Sequence, residues 1–295
     1  MEKPMRKLLN FGGSFETGDS SVESFSYEDS KIIILPVPFD ITSTWIKGAD
    51  KGPKAIIEAS PNLEFYDIET DSEVYKKGIF TEKEIISANS SDMVQNVEEK
   101  VAKLIKDGKF VLMLGGDHSV SVGAIKAHAS ASKNLSVLHL DAHADSRDSY
   151  EGNKLSHACV IARAREYVKN VVSVGVRSMD SSEAAKVDKK KMFFAEKIYD
   201  SDGWIAKAVD ELSENVYVTI DVDVFDPSIM PSTGTPEPGG LNWHQAISLL
   251  KEAFKKKNIV GVDVVELCPS ENKAPDFMAA KLIYKILSYK FFNSK

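Results

Sequence analysis

Leu138-His139-Leu140-Asp141-Ala142-His143-Ala144-Asp145 runs from an apolar segment straight into three residues of metal-ligand type. Leu135 to Leu140 has the length and character of a buried strand. In extended backbone, side chains at i, i+2 and i+4 point to one face, whereas on a helix they fan apart. The spacing therefore delivers Asp141, His143 and Asp145 to one point at the end of the strand. Ala142 and Ala144 between them leave room for packing behind. One Asp-x-His could be a capping or core feature. Three ligands at strand period point to a metal site.

Outward from this stretch, strands and helices alternate. Upstream, Lys31 to Leu35 reads as a strand that Pro36-Val37-Pro38 should end. Pro53 suits the first helical position before Lys54 to Ala59. Asn62 to Ile85 carries no clear period. A helix capped by Ser91 buries Val97, Val101, Leu104 and Ile105 and closes at Gly108. The strand Phe110 to Leu114 then enters Gly115-Gly116-Asp117-His118, followed by a short helical pattern to about Ser130. Downstream come helical patterns over Ser156 to Tyr167, Asp202 to Glu214 and Asn242 onward, with strands at Val171 to Val176, Val216 to Val224 and Ile259 to Leu267. A long loop, Phe225 to Gly240, precedes Asn242, and Asp276 to Phe292 reads as a closing amphipathic helix. The alternation argues for a single α/β domain over 31–295, three layers deep, with a mainly parallel central sheet and helices on both faces. Met1 to Ser30 is polar and without period, an expected arm or irregular surface segment.

Composition narrows the function. The chain has 295 residues, 43% hydrophobic, with 37 basic against 44 acidic side chains and a formal charge of −7. That supports a sizeable core and offers no basic face for nucleic acid. The run Lys255-Lys256-Lys257 suits a helix C-terminus. No apolar run has spanning length and no signal-like N-terminus is visible, so a cytoplasmic protein with no membrane partner is expected. Cys159 and Cys268 do not make a disulfide framework and read as small buried hydrophobes.

The chemistry-bearing residues fall at the carboxyl ends of expected strands: His118; Asp141, His143 and Asp145; Asp221 and Asp223; Glu266. In a parallel sheet these ends share one edge, where ligands bind. Four aspartates and two histidines without thiolate favour manganese-like or magnesium-like ions over structural zinc. Six ligands exceed what one catalytic ion with an open position needs. Two divalent ions, roughly 3.5–4 Å apart in such sites, would balance the four aspartates and activate a bridging water.

Gly115-Gly116-Asp117-His118-Ser119, Asp141-Ala142-His143-Ala144-Asp145 and Asp221-Val222-Asp223-Val224-Phe225-Asp226-Pro227 resemble the three signature blocks of the ureohydrolase family, which contains arginases and agmatinases. A Ser-Thr-Gly-Thr-Pro-Glu-Pro-Gly-Gly loop follows the third, and its Pro236-Glu237-Pro238-Gly239-Gly240 is more like agmatinases. The resemblance implies an arginase-like fold, two Mn²⁺ per chain, a metal-bridging hydroxide that splits a guanidino group into urea and an amine, and a homo-oligomer of three or six. It implies His118, Asp141, His143, Asp145, Asp221 and Asp223 as ligands, Asp145 serving catalysis as well. Glu266 matches the carboxylate that holds the guanidinium, and His157 the proton-shuttle histidine.

The chemistry calls for such a set. A guanidinium is a poor electrophile and needs a strong nucleophile, a planar acceptor and a proton for its departing amine. Taken singly, these residues are unremarkable: His118 a helix start, His157 a capping histidine, Asp221-Val222-Asp223 a loop pair or the Asp-x-Asp of a sugar transferase. They cohere only as a set. His139 shares parity with Asp141 and reads as a packed core residue that could also support the ligands. The expected substrate is a small cationic guanidino compound, first agmatine, giving putrescine and urea. Arginine, guanidinobutyrate, formiminoglutamate and an aminopropyl-extended agmatine stay open, as does a non-catalytic metal-binding protein. In the loop Ser146 to Asn153, Asp148 and Glu151 could face the ammonium of agmatine, while Arg147 and Asn153 cut the other way.

Overall fold

The computed structural model of the chain describes residues 10–13, 15–17, 20–22, 25–199, 201 and 203–292. The strands are β1 (Phe15–Thr17), β2 (Ser20–Val22), β3 (Ile32–Val37), β4 (Ile79–Thr81), β5 (Phe110–Gly115), β6 (Leu135–Leu140), β7 (Asn170–Val174), β8 (Met192–Phe193), β9 (Asn215–Asp221) and β10 (Asn258–Val265). The helices are α1 (Gly52–Ala59), α2 (Ser90–Lys106), α3 (Ser121–Ala131), α4 (Val160–Ala164), α5 (Ser181–Ala184), α6 (Ala195–Ile198), α7 (Trp204–Asp210), α8 (Trp243–Lys256) and α9 (Ala274–Phe292). β1 and β2 form a hairpin; the other eight strands make one sheet, parallel throughout, in the order β4-β3-β5-β10-β9-β6-β7-β8.

Unbroken aliphatic runs such as Ile32-Ile33-Ile34-Leu35 suit strands covered on both faces. Ile32 and Ile34 join Leu112, Leu114, Leu138 and Leu140 in the core beneath α1, α7, α8 and α9. Ile33 and Leu35 join Val111, Met113 and Val137 beneath α2, α3 and α4. Period-two alternation thus feeds two cores, and the three-layer α/β/α fold follows.

The order of the strands places the site. After β5 the chain lays β6 three positions away, and β9 and β10 later return to fill the two places between. The carboxyl ends of β5, β6, β9 and β10 therefore adjoin at a topological switch point. Leu140 pairs with Ile220, Asp221 with Val265, and Val264 with Leu114. This register brings Asp141, Asp221 and Glu266 out at nearly one height.

Several boundaries differ from the sequence expectation. β3 continues through Pro36 to Val37, because β4 pairs only as far as Ile34 and asks no N–H of Pro36, whose carbonyl on that side accepts from the Ile85 N–H at 3.0 Å. Asn89, not Ser91, caps α2 by accepting from the Asp92 N–H. The segment 156–167 opens as a 3₁₀ turn before α4. Residues 202–214 shorten to α7, with Asp202 outside the described residues. α9 is buried on nearly every side rather than amphipathic, being wedged between α1, α8 and the sheet. Much of the expected polar arm lies outside the described residues, yet Asn10 and Phe11 are not surface segment. Asn10 bonds the Ile79 carbonyl and Thr81 N–H of the edge strand, and Phe11 is fully buried.

Gly116 marks the tightest approach near the site. Its N–H donates to the Val37 carbonyl, and a Cβ there would lie 2.0 Å from the Phe39 carbonyl oxygen. Gly116→Ala must push the β3 and β5 loops apart, at a cost of about 1–3 kcal/mol. The expected result is a lower denaturant midpoint with reduced metal uptake. An unchanged midpoint would show that the two loops move independently.

Candidate metal centre and substrate cavity

Each strand end supplies its carboxylate in a braced form. Asp141 Oδ1 accepts from the His143 N–H at 2.5 Å, Asp221 Oδ1 from the Asp223 N–H at 2.9 Å, and Asp223 Oδ1 from the Ala142 N–H at 2.9 Å. The first two are local Asx turns that aim the second oxygen away from its own backbone, and the third ties the Asp223 carboxylate to the neighbouring strand end. Those oxygens converge on the two ring nitrogens of type Nδ1. His118 Nδ1 lies 3.1 Å from Asp141 Oδ2, 3.1 Å from Asp145 Oδ2 and 3.4 Å from Asp221 Oδ2. His143 Nδ1 lies 2.9 Å from Asp223 Oδ2 and 3.6 Å from Asp141 Oδ1. Among the described residues two groups of potential ligands result, His118, His139, Asp141 and Asp145 in one and Asp141, His143 and Asp223 in the other, and Asp141 belongs to both.

The donor set fits two divalent cations. His118 Nδ1 is buried, faces three carboxylates and makes no hydrogen bond. A buried nitrogen in that position calls for a cation. Charge says the same. Burial lowers the proton affinity of His143, yet Asp223 and Asp141 drive its pKa up to about 12. His118 is likewise raised well above the ordinary range, burial being overcome by Asp141, Asp145 and Asp221. Burial, with Asp223 and Asp141 beside it, raises Asp221 far above the usual carboxylate range. The cluster attracts positive charge from any source, and oxygen with imidazole ligands suits hard divalent ions.

Behind the ligands lies a second layer of which the sequence reading found only His139. His118 Nε2 meets Thr219 Oγ1 at 2.9 Å, and that hydroxyl donates to Asp263 Oδ1 at 2.6 Å. Thr219 has only one proton to give, so Nε2 is the donor and Nδ1 keeps its lone pair for a metal. His139 is fully buried, with Nε2 at 2.7 Å from Asp141 Oδ2 and Nδ1 at 3.1 Å from Ser173 Oγ. It is both the packed residue and the support that its parity with Asp141 allowed. Arg177 donates to the carbonyls of Gly175, Asp223, Phe225 and Glu237, which ties the Asp223 turn to the following loop. The signal for Thr219 was its two-residue parity with Asp221 on β9, and that for Asp263 a lone carboxylate inside the apolar run of β10; nothing local marks Arg177.

The ligands floor a cavity of about 300 Å³ whose walls include Trp45, Tyr150, His157, Asp180 and Glu266. Glu266 is buried, its Oε1 accepts from the His118 N–H at 2.7 Å, and its own N–H donates to the Gly116 carbonyl. Burial, with Asp117 nearby, holds its carboxyl well above the usual range. His157 stands at a turn before α4, its ring 5.7 Å from that of Tyr150 and nearly perpendicular.

Two expectations for the far end of the cavity fail. Glu151 is exposed at the left-handed position (φ 49°) of a turn closed by the Tyr150 and Asn153 backbone, and does not line the cavity. Asp148 is drawn away by Arg163 at 2.7 Å and Lys154 at 3.4 Å. The cavity wall instead carries Asp180. Its Oδ1 caps α5 while Oδ2 faces Arg147 at 3.9 Å. Arg147 also stacks on Tyr150 and reaches Glu183 at 3.7 Å. Asp180 lies beyond a strand end in a loop with no motif of its own, so the sequence held no local sign of it. The thiols are buried, Cys159 being pushed up to about 11 by burial.

The shared ligand gives a graded expectation. Asp141→Ala should abolish both divalent sites by elemental analysis, whereas Thr219→Val should leave the stoichiometry intact and weaken affinity by roughly 10–100-fold. Tight binding in Asp141→Ala would refute the shared carboxylate.

The family model "Arginase family" matches residues 30–288. An N(1)-aminopropylagmatine ureohydrolase of Synechocystis sp. is 35% identical over 276 residues, 90% of each chain. An agmatinase of Pyrococcus horikoshii is 32% identical over 279 residues, 93% of this chain and 97% of its own. The crystal structure of the agmatine ureohydrolase of Thermoplasma volcanium superposes with a TM-score of 0.85 at 31% identity, covering 97% of this chain and 95% of that one. The match spans the sheet, the ligand cluster and the cavity alike, and the chain belongs to the arginase family.

Proposed function

We propose that the protein hydrolyses the guanidino group of agmatine, releasing putrescine and urea, with two Mn²⁺ held by His118, Asp141, His143, Asp145, Asp221 and Asp223. The observation that carries this reading is the cavity itself, where the ligand cluster, a buried acceptor carboxylate and a histidine share one small space. Two divalent cations bound there would lower the pKa of a water toward neutrality. Every other task falls to the chain. Glu266 would pair with the planar guanidinium through two charge-assisted hydrogen bonds. His157 would protonate the departing amine. A histidine suits that task because it exchanges a proton near neutral pH.

The outer end of the cavity supports an amine rather than an amino acid. The Ser182 hydroxyl and N–H hold the Asp180 carboxyl below its ordinary range, so it is an anion at neutral pH. Arg147 lies 3.9 Å from Asp180 and 3.7 Å from Glu183, so carboxylates of the same wall already face its charge. A second reading, an agmatine extended by an aminopropyl group, is favoured by relatives bearing that name from Synechocystis and Thermus thermophilus. It shares every residue role above and differs only beyond the amine. A homo-oligomer belongs to the same proposal. Among the described residues no helix is long and apolar enough to cross a membrane.

Urea release with manganese added, from agmatine, its aminopropyl derivative, guanidinobutyrate and arginine, is the deciding experiment. An unpartnered buried polar group costs ~1–3 kcal/mol, so agmatine or its extended form should exceed arginine by at least about tenfold in kcat/KM. Equal or better use of arginine would reject the amine reading. Asp180→Asn, which preserves the helix cap, should narrow the preference, and Glu151→Gln should not. Glu266→Gln offers a donor where an acceptor is required, so kcat/KM should collapse with metals still bound. Retained activity in that variant would remove Glu266 from substrate recognition.

A further inference from the structure

Thr42 lies in the loop after β3, far in sequence from every ligand, yet it touches His157 twice. The His157 backbone N–H donates to Thr42 Oγ1 at 2.9 Å, and the ring Nδ1 lies 3.2 Å from the same oxygen. Thr42 Oγ1 also lies 2.9 Å from Asp117 Oδ2, which receives the Thr42 N–H at 2.9 Å as well. The other Asp117 oxygen receives the Ser119 N–H at 3.1 Å and the Ser119 hydroxyl. Asp117 is fully buried.

These contacts fix the direction of each bond. A hydroxyl offers one proton and two acceptor positions. Both Asp117 oxygens already face backbone N–H groups, which can only donate. With the carboxyl as acceptor, the single Thr42 proton goes to Asp117. The two acceptor positions of Thr42 then face His157, one filled by its backbone N–H. The ring must fill the other with Nδ1–H. Ser156 Oγ, at 3.3 Å from Nδ1, can accept from the same N–H. Nε2 is the nitrogen left for the cavity that His157 lines.

We propose that Thr42, held by Asp117, is a positioning residue that keeps neutral His157 as the Nδ1–H tautomer, with Nε2 as its proton-exchanging atom. The proposal rests on the hydrolase reading for its consequence but not for its geometry. In that reaction the protonated ring gives its Nε2 proton to the departing amine nitrogen as the C–N bond breaks and its electron pair goes to that nitrogen. The ring returns as Nδ1–H imidazole, and solvent restores the proton at Nε2. The opposite tautomer would point an N–H at the cavity permanently and leave two acceptors, Thr42 Oγ1 and the Nδ1 lone pair, facing each other.

Two measurements test this. Long-range proton–nitrogen correlation spectra of the protein loaded with diamagnetic magnesium, with His157 assigned by comparison with His157→Asn, should show Nδ1 protonated and Nε2 bare above the ring's titration. A neutral ring protonated at Nε2 overturns the proposal, whatever the protein hydrolyses. The second is a cycle of variants with manganese and the best substrate of the panel. General acid–base groups contribute roughly 10²–10⁴-fold, so losing their alignment in Thr42→Val should lower kcat by about tenfold or more, with KM nearly unchanged. Thr42→Ser should restore it. In a His157→Asn background the same Thr42→Val change should have little further effect. A Thr42→Val loss that persists undiminished without His157, or that serine fails to rescue, overturns the role. Absence of urea release by the wild type from every compound would instead remove the hydrolase reading and leave the tautomer to the spectra.

Discussion

Four aspartates and two histidines crowd one edge of a parallel sheet, and the charge they concentrate constrains everything around them. Two like unit charges 4 Å apart repel by about 4 kcal/mol at an effective dielectric of 20. Asp141, Asp221 and Asp223 are each buried, and Glu266 is buried beside them. Left to itself such a group would spread or gather protons. The upward pull on His118, His143 and Asp221 is that tendency expressed in proton affinity. The fold holds the carboxylates together anyway, through strand register and backbone N–H groups, and the negative field they concentrate suits divalent cations.

Holding ligands is only half the task; each imidazole must also present the right nitrogen. The chain does this twice with the same pair of residue types. Thr219 and Asp263 take the Nε2 side of His118 and leave Nδ1 to the ligand cluster. Thr42 and Asp117 take the Nδ1 side of His157 and leave Nε2 to the cavity. In both cases a buried carboxylate claims the threonine proton, and the threonine oxygen then accepts from the ring. A hydroxyl between carboxylate and imidazole transmits orientation without placing a full negative charge against the histidine.

The sheet and its edge were legible because parallel strands buried on both faces are written as aliphatic runs, and because ligands at strand period share a face. Leu135 to Leu140 is the strand the sequence indicates, and the ligand residues lie at one edge because topology collects carboxyl ends. The outer cavity was not legible. Asp148 and Glu151 sit in the right loop, but loop conformation is set by local pairs such as Asp148 with Arg163, and by turns such as that of Tyr150 and Asn153. Asp180 enters from a loop with no periodic signal, through the cap of a single-turn helix. Thr42 and Asp117 were equally hidden. Asp117 stood in a signature block without a role, and its partner lies 75 residues upstream. A threonine–carboxylate pair across that distance leaves no pattern in the chain.

Backbone strain shows where the fold yields to the site. Asp145 and Glu266 both adopt left-handed conformations, at φ 46° and 65°. For residues other than glycine this costs of order 1–3 kcal/mol each and persists only when the surroundings over-determine it. The surroundings do so here by using the strained residues themselves as anchors. The Asp145 carbonyl receives the Ile161 and Ala162 N–H groups at the start of α4, and the Glu266 side chain receives the His118 N–H. His157 stands one short turn before α4. The Asp145 carboxylate is therefore tied through its own backbone to the helix that follows His157. The Glu266 carboxylate is tied to the backbone of His118. Relaxing either strained residue would loosen the ligand cluster and the reacting groups together, which is why the unfavourable conformations stay at these two positions rather than in the flanking alanines or valines.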